Sequence, residues 1–396
     1  MSSESDNQYG TESDESQESG EEYGGTANAT KERQNGHVPL ALETARKLLA
    51  RGVMPTWAPL GEKHIKRTSW QDERYDRDAI ETVFNRHDIN VSTRNGHLIA
   101  ADGRVLSDKF LDVDLDILEA VRVAPFYLPK TGMMWGRAHK PRSHYGYHLT
   151  SSDKARTRED FVDPLLPKRG KDGQKATVVE LRYSGHSLAP GSLNTMSDGM
   201  QERVRWEEDG DGEPSVVAFE TVESAVEHIA AAALVAKYWT EGIRHQAALP
   251  LAGLLYHGGL SEGEAERFVR AVCAGAREDA EATSNRVDCV RSTYARGRAG
   301  ETVTGGPTLE DYLDERVIKL LRRWLHLKRH AAGALLGPDG YVLADDGDGE
   351  RFAAKWEGKA LYCAAEDPFS VILGSRPGKF SLCGPRTLQA SIQRAT

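Results

Sequence analysis

The sequence predicts an α+β protein in which a mixed part, residues 38–220, precedes an all-α part, residues 221–335. Three observations carry this prediction. Up to about Trp206, short apolar runs of strand character are interleaved with segments whose apolar residues recur at helical spacing. From about Val222 the chain turns Ala-, Leu- and Arg-rich, with helical periodicity alone. Residues 1–37 contain no Val, Ile, Leu, Phe or Trp, and so cannot bury enough apolar surface to offset the entropy of ordering. They read as a disordered acidic tail. Residues 336–396 carry short apolar patches among many glycines and receive no fold assignment.

In chain order, Leu40, Ala41, Ala45, Leu48 and Leu49 predict a helix that Arg51-Gly52 ends. Val53 to Leu60 reads as a short strand broken by prolines, and Asp76 as the cap of a second helix carrying Ile80, Val83 and Phe84. Ile89–Thr93 and Leu98–Ala101 read as strands around the Asn95-Gly96 turn. Phe110–Leu115 is a further strand running into a helix, with Asp116 and Glu119 fitting a capping box. Met133–Trp135 and Tyr145–Leu149 read as strands around a basic loop, 151–175 as a polar excursion, and Val178–Leu181 and Val204–Trp206 as strands. Asp209 to Pro214 reads as a surface turn near a boundary. Helices are then expected over 222–239, 243–257, 261–275, 283–296 and 309–330.

Charge and composition exclude several classes. The 396-residue chain has 60 acidic and 51 basic side chains, a net charge of −9. Eight of the acids lie in the first 30 residues, which hold no Lys or Arg, leaving −1 for the remaining 366. A sequence pI near 5.9 therefore does not argue against nucleic-acid binding by the body. The longest apolar run near the middle, Ile229 to Ala236, is far short of the ~20 residues that span a bilayer, so no membrane association is expected. The acidic start is unlike a secretory signal, and a cytoplasmic protein is expected. Cys273, Cys289, Cys363 and Cys383 form no C-x-x-C pair, which argues against a zinc knuckle or a disulfide scaffold.

The most informative stretch is Phe110-Leu111-Asp112-Val113-Asp114-Leu115-Asp116. Alternate residues of a strand share a face, so Asp112 and Asp114 point together, and two close carboxylates repel unless a cation or proton compensates. All-oxygen ligands suit Mg²⁺ or Mn²⁺ rather than zinc. The pair fits a solvated strand end equally well, and Asp116 is better placed as a helix cap than as a ligand. Some 20 residues on, Arg137, Lys140 and Arg142 concentrate positive charge next to Ser143 and His144, as a triphosphate site requires or as an ordinary basic loop presents. In Val178-Val179-Glu180-Leu181-Arg182, Glu180 would complete a metal site with Asp112 and Asp114, or pair with Arg182.

The order of these elements resembles the Prim-Pol family (bifunctional DNA primase/polymerase N-terminal domain) of the archaeo-eukaryotic primase superfamily, as found in phage, plasmid and prophage replication proteins. Asp112-Val113-Asp114-Leu115-Asp116 with Glu119-Ala120 resembles the first motif. Leu128-Pro129-Lys130-Thr131, Gly136-Arg137 and Pro141-Arg142-Ser143-His144-Tyr145 resemble the stretch ending in the second. Glu180-Leu181-Arg182, Gly185, Ala189-Pro190 and Ser192 resemble the third. Ala41 to Trp70 resembles the family's opening helix and strand, so the likeness covers roughly 38–220.

The resemblance implies an RRM-like primase-polymerase catalytic core followed by an all-α accessory domain. The stretch Trp239 to Arg244, then Leu249–Leu255 and Gly258, carries the accessory likeness. It implies Asp112, Asp114 and Glu180 as metal ligands and catalytic residues and His144 as a phosphate contact. Ser143, Arg142, Arg137 and Arg182 would be further nucleotide or template contacts. The implied function is template-dependent nucleotidyl transfer by two-metal catalysis with Mg²⁺ or Mn²⁺, in the replication of a phage, plasmid or other mobile element. Its partners would be single-stranded DNA template, nucleoside triphosphates and a separate replicative helicase. The alternatives are a replication initiator that binds DNA or nucleotide without synthesis, and a divalent-metal nuclease. One departure stands out: where the family often has Pro-Pro-Ser with a nearby His, this chain reads Ala189-Pro190-Gly191-Ser192-Leu193-Asn194. Arg322, Arg323, Lys328, Arg329 and His330 around Trp324 suit either phosphates and bases or a solvated helix face. Gly374 to Phe380 departs from a phosphate loop in its spacing and in Phe380, so no motor is expected on this chain.

Overall fold

A computed structural model describes residues 38–96, 109–150, 158–167, 176–196, 198–328, 360–362, 371–376 and 379–383. The expected tail, the strand at 98–101, most of the 151–175 excursion and most of 336–396 lie outside the described residues, as do Arg329 and His330. The protein is mixed α+β with antiparallel sheets and several helices.

The chain begins with α1 (Leu40–Ala50), β1 (Pro55–Pro59), α2 (Arg77–Val83) and β2 (Ile89–Arg94). Gly52 takes a positive φ of 70° and turns the chain so that Val53 donates back to the Leu48 carbonyl. Asp76 caps α2 by accepting from the Ala79 amide, as expected. There follow β3 (Lys109–Leu115), α3 (Leu118–Val123), β4 (Met133–Arg137), β5 (Lys140–Leu149), β6 (Arg158–Val162) and β7 (Thr177–Arg182). Next come β8 (His186–Leu188), β9 (Leu193–Thr195), β10 (Gln201–Arg203), β11 (Arg205–Asp211) and β12 (Ser215–Val217). The helices α4 (Phe219–Tyr238), α5 (Arg244–His257), α6 (Glu262–Gly275), α7 (Ala280–Arg298), α8 (Gly306–Leu309) and α9 (Glu315–Trp324) complete the body. Three further strands, Ala360–Tyr362, Val371–Arg376 and Lys379–Cys383, form a small antiparallel sheet in which Gly374 pairs with Phe380. Gly374 and Phe380 are thus strand residues facing each other across that pair.

The main sheet runs in the order β11-β4-β5-β3-β7-β6, with antiparallel pairs throughout, and β12 joins β5 in parallel. A smaller sheet has the order β1-β2-β8. The period of two on β3 divides the cores. Leu111, Val113 and Leu115 face one side and belong to a cluster that takes in Val123, Val178, Val226, Ile229 and Leu234. Phe110 faces the other, into a second cluster with Trp135, Met133, Val91, Leu48 and Ala45. Gly146, opposite Asp112, makes room for Phe110: a Cβ there would lie 2.8 Å from its ring. The main sheet is thus packed on both faces, by helices behind and by α1 and the small sheet in front. The first cluster continues through α4 into α5, α6, α7 and α9, so one apolar core crosses residue 220. The run Ile229–Ala236 is its centre, and no helix among the described residues is long and apolar enough to cross a membrane.

Four sequence expectations are corrected. The helix expected over 309–330 is two, α8 and α9, because the extended Asp314 intervenes and caps α9 at the Arg316 amide. The first half of the turn expected at 209–214 is strand: Asp209, Gly210 and Asp211 belong to β11, and Gly210 lets it approach β4, where a Cβ would meet the Met134 carbonyl at 2.4 Å. The basic loop is a tight hairpin, with Lys140 and Arg142 inside β5. Asp116 is not a helix cap. The N-cap of α3 is Ile117, with no side-chain cap bond, and the Asp116 amide instead donates to the Val178 carbonyl at 3.0 Å. That bond keeps Asp116 in the extended ladder, on the face of Asp112 and Asp114.

Candidate functional site

Strand β3 lies between β5 and β7, and the register decides which side chains meet. Asp114 is opposite His144 on one side and Glu180 on the other; Asp112 is opposite Gly146 and Arg182. Directly opposed side chains in such ladders stand about 5 Å apart. The result is a group of three carboxylates, Asp114, Asp116 and Glu180, whose ligand oxygens all lie within 4.8 Å of one another. The donor set is hard oxygen throughout, so the trio can hold a metal ion of the Mg²⁺ or Mn²⁺ type. Two of its members were read from sequence as ligands; the third, Asp116, takes the place expected of Asp112.

Fixed cations temper this charge. The Arg182 guanidinium reaches Asp114 Oδ2 at 2.8 Å and also pairs with Glu180. Burial alone would lower its pKa, but Asp114, Glu180 and Asp112 outweigh burial and push it up. Lys140 donates to the Leu115 carbonyl at 2.7 Å and stands 4.0 and 3.9 Å from Asp114 and Asp116. Four carboxylates, counting Asp112, thus face two permanent cations, an imbalance that a divalent cation suits.

Asp112 turns from the trio to His144. It is fully buried, with Oδ2 3.0 Å from His144 Nδ1, and it accepts from Ser187 Oγ at 2.5 Å. Ser187 is held in turn by Asn95 Nδ2 at 3.0 Å, and Asn95 by Thr93 Oγ1 at 2.9 Å. The His144 ring stacks on Trp135 with centroids 5.1 Å apart and planes 3° from parallel. With Nδ1 facing Asp112, Nε2 points to the cleft and lies 3.6 Å from Asp114 Oδ1. Asp112 is accordingly a positioning residue for His144.

The cleft itself has two unlike walls. The main sheet contributes Asp114, Asp116, Arg137, Lys140, His144 and Arg182; the chain from β8 to β11 contributes His186, Leu188, Asn194 and Val204, and Lys63 reaches in from the β1–α2 loop. Arg142 and Ser143 do not join it. A register shift in the β4–β5 pairing and a positive φ at Arg142 turn that side chain outward, to Asp209 at 2.8 Å. Ser143 is fully buried elsewhere. The sequence reading missed Asp116, Trp135, His186 and Ser187 in this site. The five-residue alternation Asp112, Asp114, Asp116 was the one signal that could have found the first; the others come from strands distant in sequence.

Elsewhere, Arg244 is structural: it donates to the Trp239 carbonyl at 2.8 Å and stands 3.6 Å from the buried Glu278, which also accepts from Trp239 Nε1. Trp324 is buried against Phe161, a core role rather than a stacking platform. In comparison with known proteins, the chain matches no family model and no curated protein.

Proposed function

We propose that the protein is a template-dependent nucleotidyl transferase of the primase-polymerase kind. The observation that carries this reading is the carboxylate trio sharing one cleft with His144, Lys140 and Arg137. The strand order supports it. Strands β3, β4, β5 and β7, with α3 after β3, run in space as β4-β5-β3-β7, the order of an RRM-like sheet, and the functional side chains stand on its two central strands and on β7. A helix between β5 and β7, usual in such sheets, is absent among the described residues.

A divalent cation held by Asp114, Asp116 and Glu180 would supply Lewis-acid charge to a triphosphate and to an attacking hydroxyl. The chain's own groups do the rest. Lys140 and Arg137 offset phosphate charge. Asp112 and Trp135 fix the His144 ring, so that Nε2, when the ring is protonated, donates to a phosphate oxygen. A second reading, binding of DNA or nucleotide without synthesis, is favoured by one observation: Arg182 already bridges Asp114 and Glu180 as an internal cation.

The deciding assay incubates the protein with a primed single-stranded template, labelled nucleotides and Mn²⁺. Primer growth that Asp114→Asn abolishes supports synthesis. Binding without growth supports the second reading, and loss of template would point to a nuclease.

A further inference from the structure

The charged wall of the cleft is accounted for by metal and phosphate; the opposite wall is not. Its most unusual member is Asn194, which is 2% exposed, lines the cleft, and has no hydrogen-bond partner for either Oδ1 or Nδ2 among the described residues. Buried side-chain amides are nearly always paired, because leaving both groups unpaired forfeits their hydration with nothing in return.

Neglect of the surrounding backbone does not explain it. Asn90, fully buried, clamps Leu193 from both sides, donating to its carbonyl at 2.8 Å and accepting from its amide at 2.8 Å. Ser192 bonds the Val91 amide at 2.8 Å and carbonyl at 2.7 Å, and Thr195 donates to the Gly61 carbonyl at 2.9 Å. The three neighbours of the unpaired amide are therefore all anchored, which holds Asn194 rigidly in place. Such support around an unsatisfied group is how a binding group is preorganised.

Glu202, opposite Asn194 in the β9–β10 pair, accepts from the His139 amide at 2.9 Å, and Lys63 reaches into the same cleft; the other cleft residues beside Asn194 carry no charge. Leu188 and Val204 are apolar, and burial, with Arg182 and His64 nearby, lowers the His186 pKa to about 4, so that its imidazole is neutral near pH 7. An unpaired amide offers a donor and an acceptor together, whereas an ionised phosphate only accepts, so phosphate would leave Oδ1 unpaired. The amide suits the hydrogen-bonding groups of a sugar or a base.

We infer that Asn194 is a specificity-determining residue that hydrogen-bonds the nucleoside moiety of a nucleotide whose phosphates lie against the charged wall. This rests on the nucleotide-binding reading above.

The test is calorimetric titration of the full chain, in Mn²⁺, with ATP, dATP and inorganic tripolyphosphate. For Asn194→Leu and Asn194→Ala, ATP and dATP should bind at least about tenfold more weakly, because a site built to hydrogen-bond its ligand discriminates strongly. Tripolyphosphate should bind within about twofold of wild type by the same principle. A greater loss for ATP than for dATP places the contact at the 2′-hydroxyl, and equal losses place it elsewhere on the nucleoside; both support the inference. Thermal melting shows that the variants fold, and Asn194→Leu should melt no lower than wild type, since it removes an unpaired buried amide. Unchanged affinities, or equal losses for all three ligands, overturn the inference alone. Wild-type protein that binds none of the three overturns the nucleotide-binding reading, and the inference with it.

Discussion

Asp112 and Asp116 are equivalent in the sequence, each two residues from Asp114 on one strand face, yet they have different work. Asp116 belongs to the carboxylate trio, whereas Asp112 is spent on His144 and Ser187. Asp116→Asn should therefore abolish Mn²⁺-dependent primer extension, because the trio loses a metal-ion ligand. Asp112→Asn should cost about 10–100-fold, as for a partner that orients a functional group. Extension rates of the two variants check the ranking. Arg182 provides a test independent of activity. Removing one side of a buried ion pair costs about 3–5 kcal/mol, so Arg182→Gln should lower the melting temperature sharply. Millimolar Mn²⁺ should restore much of the loss, because it replaces the missing cation among Asp114 and Glu180; melting with and without the ion measures this. His186 gives a pH dependence. Burial first, then Arg182 and His64, hold its pKa at about 4 against an ordinary 6.5. Between those values the unfolded chain binds a proton that the folded one refuses, so stability is full above 6.5 and is lost as the pH falls through about 4. The loss should be about 3 kcal/mol. In urea melts, His186→Gln should lose less stability than wild type between pH 7 and about pH 4.

At the scale of elements, what the sequence reveals depends on how local the cause is. The strand β3, the cap at Asp76, the turn at Gly52 and the helices from α4 to α7 follow from periodicity and capping chemistry within a few residues, and all were legible. The two-part split of the 309–330 helix was signalled by Asp314, a good cap residue in mid-pattern. Strands β8, β9 and β10 are three residues each and held by Asn90, Ser192 and Thr93, so no local pattern announces them. For the same reason the cleft wall built on the main sheet was readable and the opposite wall was not. The register shift that expels Arg142 is likewise invisible to a count of alternation. In the helical part, the junction of α4, α5 and α7 is held by Glu278, whose side chain is 1% exposed between Trp239, Arg244 and Arg286. Glu278→Ala removes the buried carboxylate that neutralises two arginines and the acceptor of the Trp239 indole N–H, and should cost about 3–5 kcal/mol. Chemical denaturation would show it as a lower midpoint at unchanged slope.

At the scale of the molecule, the change of composition near Val222 was legible, but the packing across it was not. Composition suggested a second domain, whereas Val222, Val226 and Ile229 of α4 lie in the same cluster as Leu111, Val113 and Val178 of the sheet. Each such side chain contributes about 1.5–3 kcal/mol by burial, and before α4 the only buried residues of the first cluster that give the sheet helical cover are Ala120, Val123 and Ala124, at the short α3. A chain truncated after Ala218 should therefore fail to form a soluble folded unit, and residues 38–328 should unfold in a single transition. Size-exclusion and calorimetric scans of both check this; a stable, monomeric 1–218 fragment would show that the helices are dispensable.

The parallel stack of Trp135 on His144 has an optical consequence. An indole's emission responds to the ring stacked on it, so a ligand that shifts the His144 ring alters the emission of Trp135. Trp135 is thus an intrinsic probe placed one ring away from the cleft, and events there can be followed by light without a label.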